Sequence, residues 1–346
     1  MELLIFTQKV DLNDTVLSFF HRWILEIAKH FEQVTVICLY KGKCELPANI
    51  RVLSLGKENG ESKFKYLKNF YKYIIKYRKD YDAVFVHMNQ EYMILGGIIW
   101  KIMGKKAAMW RNHHAGSWLT DLAAFFCFKV FCTSRYSFTA KYKKTVLMPV
   151  GVDTELFVAD KGTRIQREER SILSLGRISI SKRLEYFVDA LGRLARNAQA
   201  FHASIYGDAL PKDQPYYEML KKKTEELQIA DRVAFCAGIP NDETPAVYSR
   251  HNIFVNLSSS GMYDKTIFEA MSCECVVLVS NENLHGLIDE QYIFKDRDTD
   301  EFTEKLSALI SMPEDIRREK AKELRRVVES KHSLGLLANK IRTEYN

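Results

Sequence analysis

No apolar run in this 346-residue chain is long enough to cross a bilayer; the longest patches, such as LGGIIWKIM (Leu95–Met103), are interrupted by charge. The N-terminus, MELLIFTQKV, has neither a basic lead nor a cleavage site, so it reads as a first strand and not as a secretory signal. Cysteine is sparse: seven residues, an odd number without a CxxC pair, argue against a disulfide framework and for a reducing compartment. Cys273 and Cys275 form an isolated CxC, and a zinc site would need two further ligands that the neighbouring sequence does not offer. Short-period repeats and low-complexity segments are absent. Absent too is any aromatic–basic nucleic-acid module, so the net charge of +7 points at most to anionic ligands or an anionic membrane surface. What remains is a globular chain, 47% hydrophobic and 27% charged, long enough for two domains and expected in the cytoplasm.

Short apolar, β-branched runs alternate with helical patterns, the arrangement of a parallel α/β protein. The first half offers Leu3–Thr7, Val34–Tyr40, Ile50–Leu55, Ala83–Met88, Lys106–Trp110 and Lys129–Ser134 as strands, with helical spacing over Phe19–Phe31 and Lys63–Lys79. The second half restarts at Ser171–Arg177 and continues through ASIYGD, RVAFCAG, IFVNLS and VVLVS. Between the halves, the polar stretch Ala159–Arg170 reads as a linker. The expected division is 1–155 and 156–346, two Rossmann-like domains with a cleft between them, the last helix (about 331–346) packing back on the first. Ligands in such folds sit beyond the carboxyl ends of the strands, so residues there carry most weight.

Four strand ends stand out. In Ile253–Ser280, a strand, a Ser/Gly turn and a helix opening near Asp264 aim backbone N–H groups and a positive helix end at one spot, suited to phosphate. Thr266 lies at that helix start, and Glu269 in its first turns offers a carboxylate to the hydroxyls of a nucleotide. In LGRISISK (Leu175–Lys182) a strand ends at Gly176–Arg177, and Lys182 stands at a helix entry. Arg177 and Lys182 can converge on one diphosphate, one as a forked donor and the other as a point charge. Gly207, in IYGD, permits a sharp turn or a close backbone approach. Gly238 and Ile239 end a further strand where backbone groups can read a nucleobase edge. Solvated cations and plain turns are the bland alternative for each site alone.

Together these segments resemble the retaining glycosyltransferases of family 4, whose fold is GT-B, two facing Rossmann-like domains. LGRISISK looks like that family's GR…K diphosphate clamp, IYGD like its strand ending in Gly–Asp/Glu–Gly, and RVAFCAG like its drVxFxG element. FEAMSCECVVLVS is similar to EAMAxGxPVV, and MPVGVDTELF (Met148–Phe157) to the PxGVD…F signature. The resemblance runs through nearly the whole chain. It implies that Glu269 holds the nucleotide ribose. It also exposes a departure: the first glutamate of the family's usual pair is replaced by Gly261, and the donor-sugar loop by Met262–Lys265. Asp264 is expected to substitute by accepting donor-sugar hydroxyls, with Lys265 orienting it or the phosphate. The same residue also suits a helix N-cap, and the two roles are compatible.

In the first half, AMWRNHHAGSW (Ala108–Trp118) follows a strand end and resembles the family segment whose histidine touches donor sugar and acceptor. His113 aligns best, with His114 the competitor. The family's N-terminal Gly–Gly loop has no counterpart, and Asp11, Asn13 or Asp14 are expected to line the cleft instead. The lysines of Lys63–Lys79 fit a helix packed on its sheet, with contact to an anionic membrane face as a secondary role. The resemblance therefore implies a metal-independent retaining transferase. It moves a hexose from a UDP- or GDP-linked donor, without a further cofactor, to a saccharide or lipid-linked acceptor by front-face attack. A GT-B nucleotide-sugar epimerase, or an altered GT-B protein that binds without transfer, stands as the alternative.

Overall fold

The computed structural model describes residues 1–14, 16–159 and 167–346, so most of the stretch read as a linker, residues 160–166, lies outside the described residues. The chain forms two compact units, one of Met1–Gly151 with Leu334–Asn346, the other of Val152–Ser333.

The first unit is built on strands β1 (Leu3–Val10), β2 (Val34–Lys41), β3 (Ile50–Ser54), β4 (Ala83–His87), β5 (Lys106–Trp110), β6 (Lys129–Cys132) and β7 (Thr145–Leu147). They make one parallel sheet in the order β3-β2-β1-β4-β5-β6-β7. Because successive side chains point to opposite faces, Leu3 and Ile5 enter one core while Leu4 and Phe6 enter the other. Both faces are covered, which is why these strands read as unbroken apolar runs. Helix α1 (Phe19–Ala28) lies on the Leu3/Ile5 face beside the C-terminal helix Leu334–Tyr345. Trp23, Ile24 and Ile27 pack there with Leu337, Ala338 and Ile341, and the Tyr345 hydroxyl donates to the Val84 carbonyl at 2.6 Å. Helices α2 (Lys63–Lys76), α3 (Gln90–Ile102) and α4 (Trp118–Phe126) cover the Leu4/Phe6 face through Phe70, Ile74, Met93, Trp100, Ala123 and Ala124.

In the second unit, β8 (Ser171–Leu175), β9 (His202–Tyr206), β10 (Val233–Cys236), β11 (Ile253–Asn256) and β12 (Val276–Val279) form a parallel sheet in the order β10-β9-β8-β11-β12. Its helices are α5 (Leu184–Arg196), α6 (Gln214–Glu226), α7 (Thr244–Arg250), α8 (Lys265–Ser272), α9 (Thr299–Ser311) and α10 (Glu314–Lys331). Strand order reverses between β8 and β11. Loops leaving those neighbours must run to opposite sides of the sheet, which opens a crevice at their carboxyl ends.

Candidate functional site

That crevice brings together residues from two loops far apart in sequence. Beyond β8 the backbone passes Gly176 and Arg177 into a 3-10 turn, Ile180–Lys182, and Arg183 takes a left-handed φ of 53° before α5 begins. Asn256 ends β11, and Leu257 and Ser258 lead on to Asp264, the N-cap of α8. Lys182 Nζ donates to Ser258 Oγ at 3.1 Å and forms an ion pair with the Asp264 carboxylate. Arg177 and Lys182 line one small hollow with Ser174, Gly176, Asn256 and Leu257. The Arg177 guanidinium is exposed, and among the described residues no hydrogen bond or ion pair occupies it.

Asp264 is saturated. Its Oδ2 accepts from Lys182, from Asn256 Nδ2 at 3.0 Å and from Ser258 Oγ at 3.1 Å. Its Oδ1 accepts from the Thr266 amide at 3.3 Å and Thr266 Oγ1 at 2.9 Å. Burial alone would raise this carboxyl, but the Lys182 charge and these hydrogen bonds hold it well below the usual carboxylate range. The expected N-cap geometry is present. Five protein donors thus crowd a carboxylate that offers about four lone-pair sites, so its internal partners compete with any donor-sugar hydroxyl.

Glu269, one turn further along α8, is 2% exposed. Oε1 accepts from Asn241 Nδ2 at 3.1 Å, Oε2 from the Tyr248 hydroxyl at 3.3 Å, and Lys265 Nζ stands 3.9 Å away. Burial, the larger effect, pushes the Glu269 carboxyl up, while Lys265 and the hydrogen bonds pull it back. Burial also pushes the Tyr248 phenol well up, with Glu269 adding to it, so Tyr248 remains a donor. The far end of α8 is neutralised separately. Arg167 donates to the Cys273 and Glu274 carbonyls at 2.7 Å each, and Arg325 to the Ser272 carbonyl. With its negative end satisfied, the positive end of α8 faces the crevice.

Gly176 and Gly207, with φ of 146° and 152°, lie back to back where the loops after β8 and β9 meet. Gly238 follows β10, but its amide already donates to Asp208 Oδ1 at 2.9 Å. Ile239 lines a separate cavity of about 500 Å³ with Tyr206, Val247 and Arg250. In the first unit, His113 follows β5. Its Nδ1 lies 2.9 Å from the Ala115 amide nitrogen and 3.2 Å from the Ala115 carbonyl oxygen, and its ring stacks on His114 at 4.4 Å. Asp11 and Asp14 bind their own surroundings: Asp11 accepts from the Asn13 and Lys43 amides, and Asp14 from Lys9, Val16 and Leu17.

Nothing in the sequence singles out Asn241, Tyr248, Asn256 or Ser258 as site residues. Asn256 is the last residue of an apolar strand, and that interruption was the one available signal.

Two family profiles match the chain: "Glycosyl transferases group 1" over residues 158–327 and "Glycosyl transferase 4-like" over residues 12–110. A GDP-mannose-dependent alpha-(1-6)-phosphatidylinositol monomannoside mannosyltransferase of Mycolicibacterium smegmatis is 30% identical over 114 residues, 31% of this chain and 28% of that protein. An alpha-monoglucosyldiacylglycerol synthase of Streptococcus pneumoniae is 28% identical over 128 residues, 37% of this chain and again 28% of the relative. The match thus spans under a third of either relative's length. Among solved structures, Anabaena HepE in complex with UDP and glucose superposes with a TM-score of 0.77 at 17% identity, covering 99% of this chain and 98% of that one. Sucrose-phosphate synthase of Thermosynechococcus elongatus gives 0.79 at 16% identity, with the same coverage. At such identities the likeness is one of fold.

Proposed function

The chain belongs to the group 1, family-4-type glycosyltransferases, and we propose that it is a retaining, metal-independent enzyme moving a hexose from a UDP- or GDP-linked donor to a saccharide or lipid-linked hydroxyl. One observation carries this reading. Lys182 from the loop after β8 and the N-terminus of α8 after β11 converge at the switch point of the second sheet, with Arg177 in the same hollow. Fixed cations and oriented amides there stabilise the charge that grows on a departing diphosphate. Glu269 is assigned the ribose hydroxyls and Gly207 the close approach of loops around the site. Gly238 and Ile239 border the nucleobase, and His113 hydrogen-bonds a sugar hydroxyl through its Nε2. Among the described residues, both carboxylates of the crevice, Asp264 and Glu269, are engaged by protein donors, which favours front-face attack with the diphosphate taking the acceptor proton. The names of the two relatives, both glycolipid-forming, support a lipid-linked acceptor.

The test is a thermal-shift panel of UDP, GDP and ADP sugars on wild type and Glu269→Gln. A nucleotide at 100 times its dissociation constant stabilises by about 2.7 kcal/mol. Wild type should respond to UDP or GDP compounds, and Glu269→Gln should lose most of that response. Its unliganded melting temperature should nonetheless rise. A glutamate whose folded pKa is raised binds more protons when native, so its contribution falls as pH climbs through the ordinary glutamate range towards the raised value, and the loss is complete above it. Glutamine removes that loss at neutral pH. A variant that melts lower and still responds fully to nucleotide would refute the ribose assignment. Nucleotide release that ignores added acceptor would favour the epimerase or binding-only alternative.

Among the described residues no helix is long and apolar enough to cross a membrane. Yet the outer surface of α2–α4 exposes Phe64, Ile102, Trp118 and Phe125, the last three 81%, 71% and 65% accessible. Lys101 Nζ lies 5.1 Å from the Phe125 ring centre, and α2 adds Lys65, Lys68, Lys72 and Lys76. Apolar rings flanked by cations suit an anionic lipid surface. The protein is expected to sediment with phosphatidylglycerol vesicles and not with phosphatidylcholine vesicles, and Trp118→Ser with Phe125→Ser should reduce capture at least about 5-fold. Equal capture by both vesicle types would dismiss the contact.

A further inference from the structure

We propose that Asp264 is a positioning residue: it pins Lys182 against the N-terminus of α8, raising turnover at the expense of nucleotide affinity. The proposal rests on the reading of Lys182 as the diphosphate cation and assigns Asp264 a part in that same site.

Three observations carry it. First, the carboxylate is full, with Lys182, Asn256 and Ser258 on Oδ2 and both Thr266 donors on Oδ1. These internal partners compete with any sugar hydroxyl. Second, one residue serves both anion-attracting elements, as ion-pair partner of Lys182 and as N-cap of α8. A lysine alone is a point charge on a flexible four-carbon stem. Here its Nζ is fixed between Ser258 and Asp264, and so held in register with the helix start. Pre-organised charge of this kind lowers a barrier because it need not reorient as the leaving group develops. Third, the same carboxylate cancels the Lys182 charge locally. The carboxylate also caps the positive end of α8, and Lys265 faces Glu269, so attraction for an incoming diphosphate then rests chiefly on Arg177. Orientation is gained while net attraction is lost, so the two effects of Asp264 on binding and on turnover have opposite signs.

Asp264→Asn separates them. Asparagine remains a good N-cap and keeps the volume, but it releases Lys182 from its counter-ion. The expected result is UDP or GDP binding about 3- to 10-fold tighter by calorimetry, together with turnover about 10-fold slower with the donor chosen by the thermal-shift panel. A residue that only supports the fold would weaken both. Because Asp264 is argued to act through Lys182, the turnover loss should vanish in a Lys182→Met background, where Asp264→Asn adds little further. If Asp264→Asn does not fold, as judged by circular dichroism, Ser258→Ala takes its place. It removes one hydrogen bond from Lys182 Nζ and one from Asp264 Oδ2 while leaving the cap and the counter-ion in place, so it should slow turnover by a smaller factor with nucleotide affinity little changed; full turnover in Ser258→Ala would then overturn the proposal.

Unchanged or weaker nucleotide binding with unchanged turnover overturns the proposal, as does full additivity with Lys182→Met. Failure of the underlying reading looks different. If wild type binds neither UDP nor GDP, the diphosphate site itself is wrong and the positioning role falls with it.

Discussion

Replacing Lys182 with alanine is expected to cut turnover by about 10²- to 10³-fold, the usual cost of deleting one fixed donor from a charge-stabilising site. The loss should appear mainly in kcat, because Lys182 is already paired with Asp264 before any ligand arrives and contributes less to ground-state attraction. Stability changes as well. The folded-state pKa of Asp264 lies well below its ordinary value, so the stabilisation it reports is fully present above about pH 4. It is lost only as pH falls through the depressed value. Without Lys182 the buried carboxylate is left with neutral donors alone, its pKa climbs, and acid unfolding should begin at higher pH than in wild type. Steady-state kinetics and an acid-unfolding series on the same preparation measure both. Wild-type turnover in Lys182→Ala would remove the clamp; an unshifted acid transition would remove the ion pair as a source of stability.

Much of the second unit was legible because β8, β11 and β12 are buried on both faces. IFVN and VVLV are short β-branched runs that admit few other readings, and the helix start at Asp264 followed from an N-cap residue before an apolar helical pattern. That the family's diphosphate motif would lie at a strand end followed from the same alternation. What could not be read was which polar groups neutralise one another. Lys182 and Asp264 are 82 positions apart, and their pairing follows from the adjacency of β8 and β11, a property of strand order and not of either segment. Tyr248 satisfied every criterion of a core residue and is fully buried, yet its hydroxyl is spent on Glu269. Asn241 lies past a Gly–Ile–Pro stretch that announces only a turn. Gly238 was expected to offer its amide to a base, but Asp208 claims that amide across the neighbouring loop. In each case local chemistry marked the residue type correctly, and a contact over a long sequence distance decided its use.

The same limit applies to glycine, and here it yields the largest expected effect on folding. Gly207 looks in sequence like a ligand-approach glycine, but what approaches it is protein. A Cβ at 207 would stand 1.9 Å from the Gly176 carbonyl oxygen and 2.9 Å from its carbon, at a φ of 152° that side chains rarely adopt. Both neighbours are anchored, since the Gly207 amide donates to the Cys236 carbonyl and the Gly176 amide to the Tyr206 carbonyl, each at 3.0 Å. Neither loop can yield without breaking the end of a sheet ladder. Gly207→Ala is therefore expected to destabilise by about 2–5 kcal/mol, combining strain and overpacking. For a unit of this size that lowers the melting temperature by roughly 10 °C. Gly238→Ala provides the control. There the added Cβ meets the Asp208 carboxylate, a side chain able to turn away, so the cost should be no more than about 1 kcal/mol. Because Gly176 immediately precedes Arg177, the wedge at 207 should also displace the guanidinium. Surviving Gly207→Ala molecules should then show a weakened response to UDP or GDP even well below their melting point. Equal melting temperatures for the two alanine variants would mean that the loops after β8 and β9 are not interlocked, and the crevice would lose the support on which its cations depend.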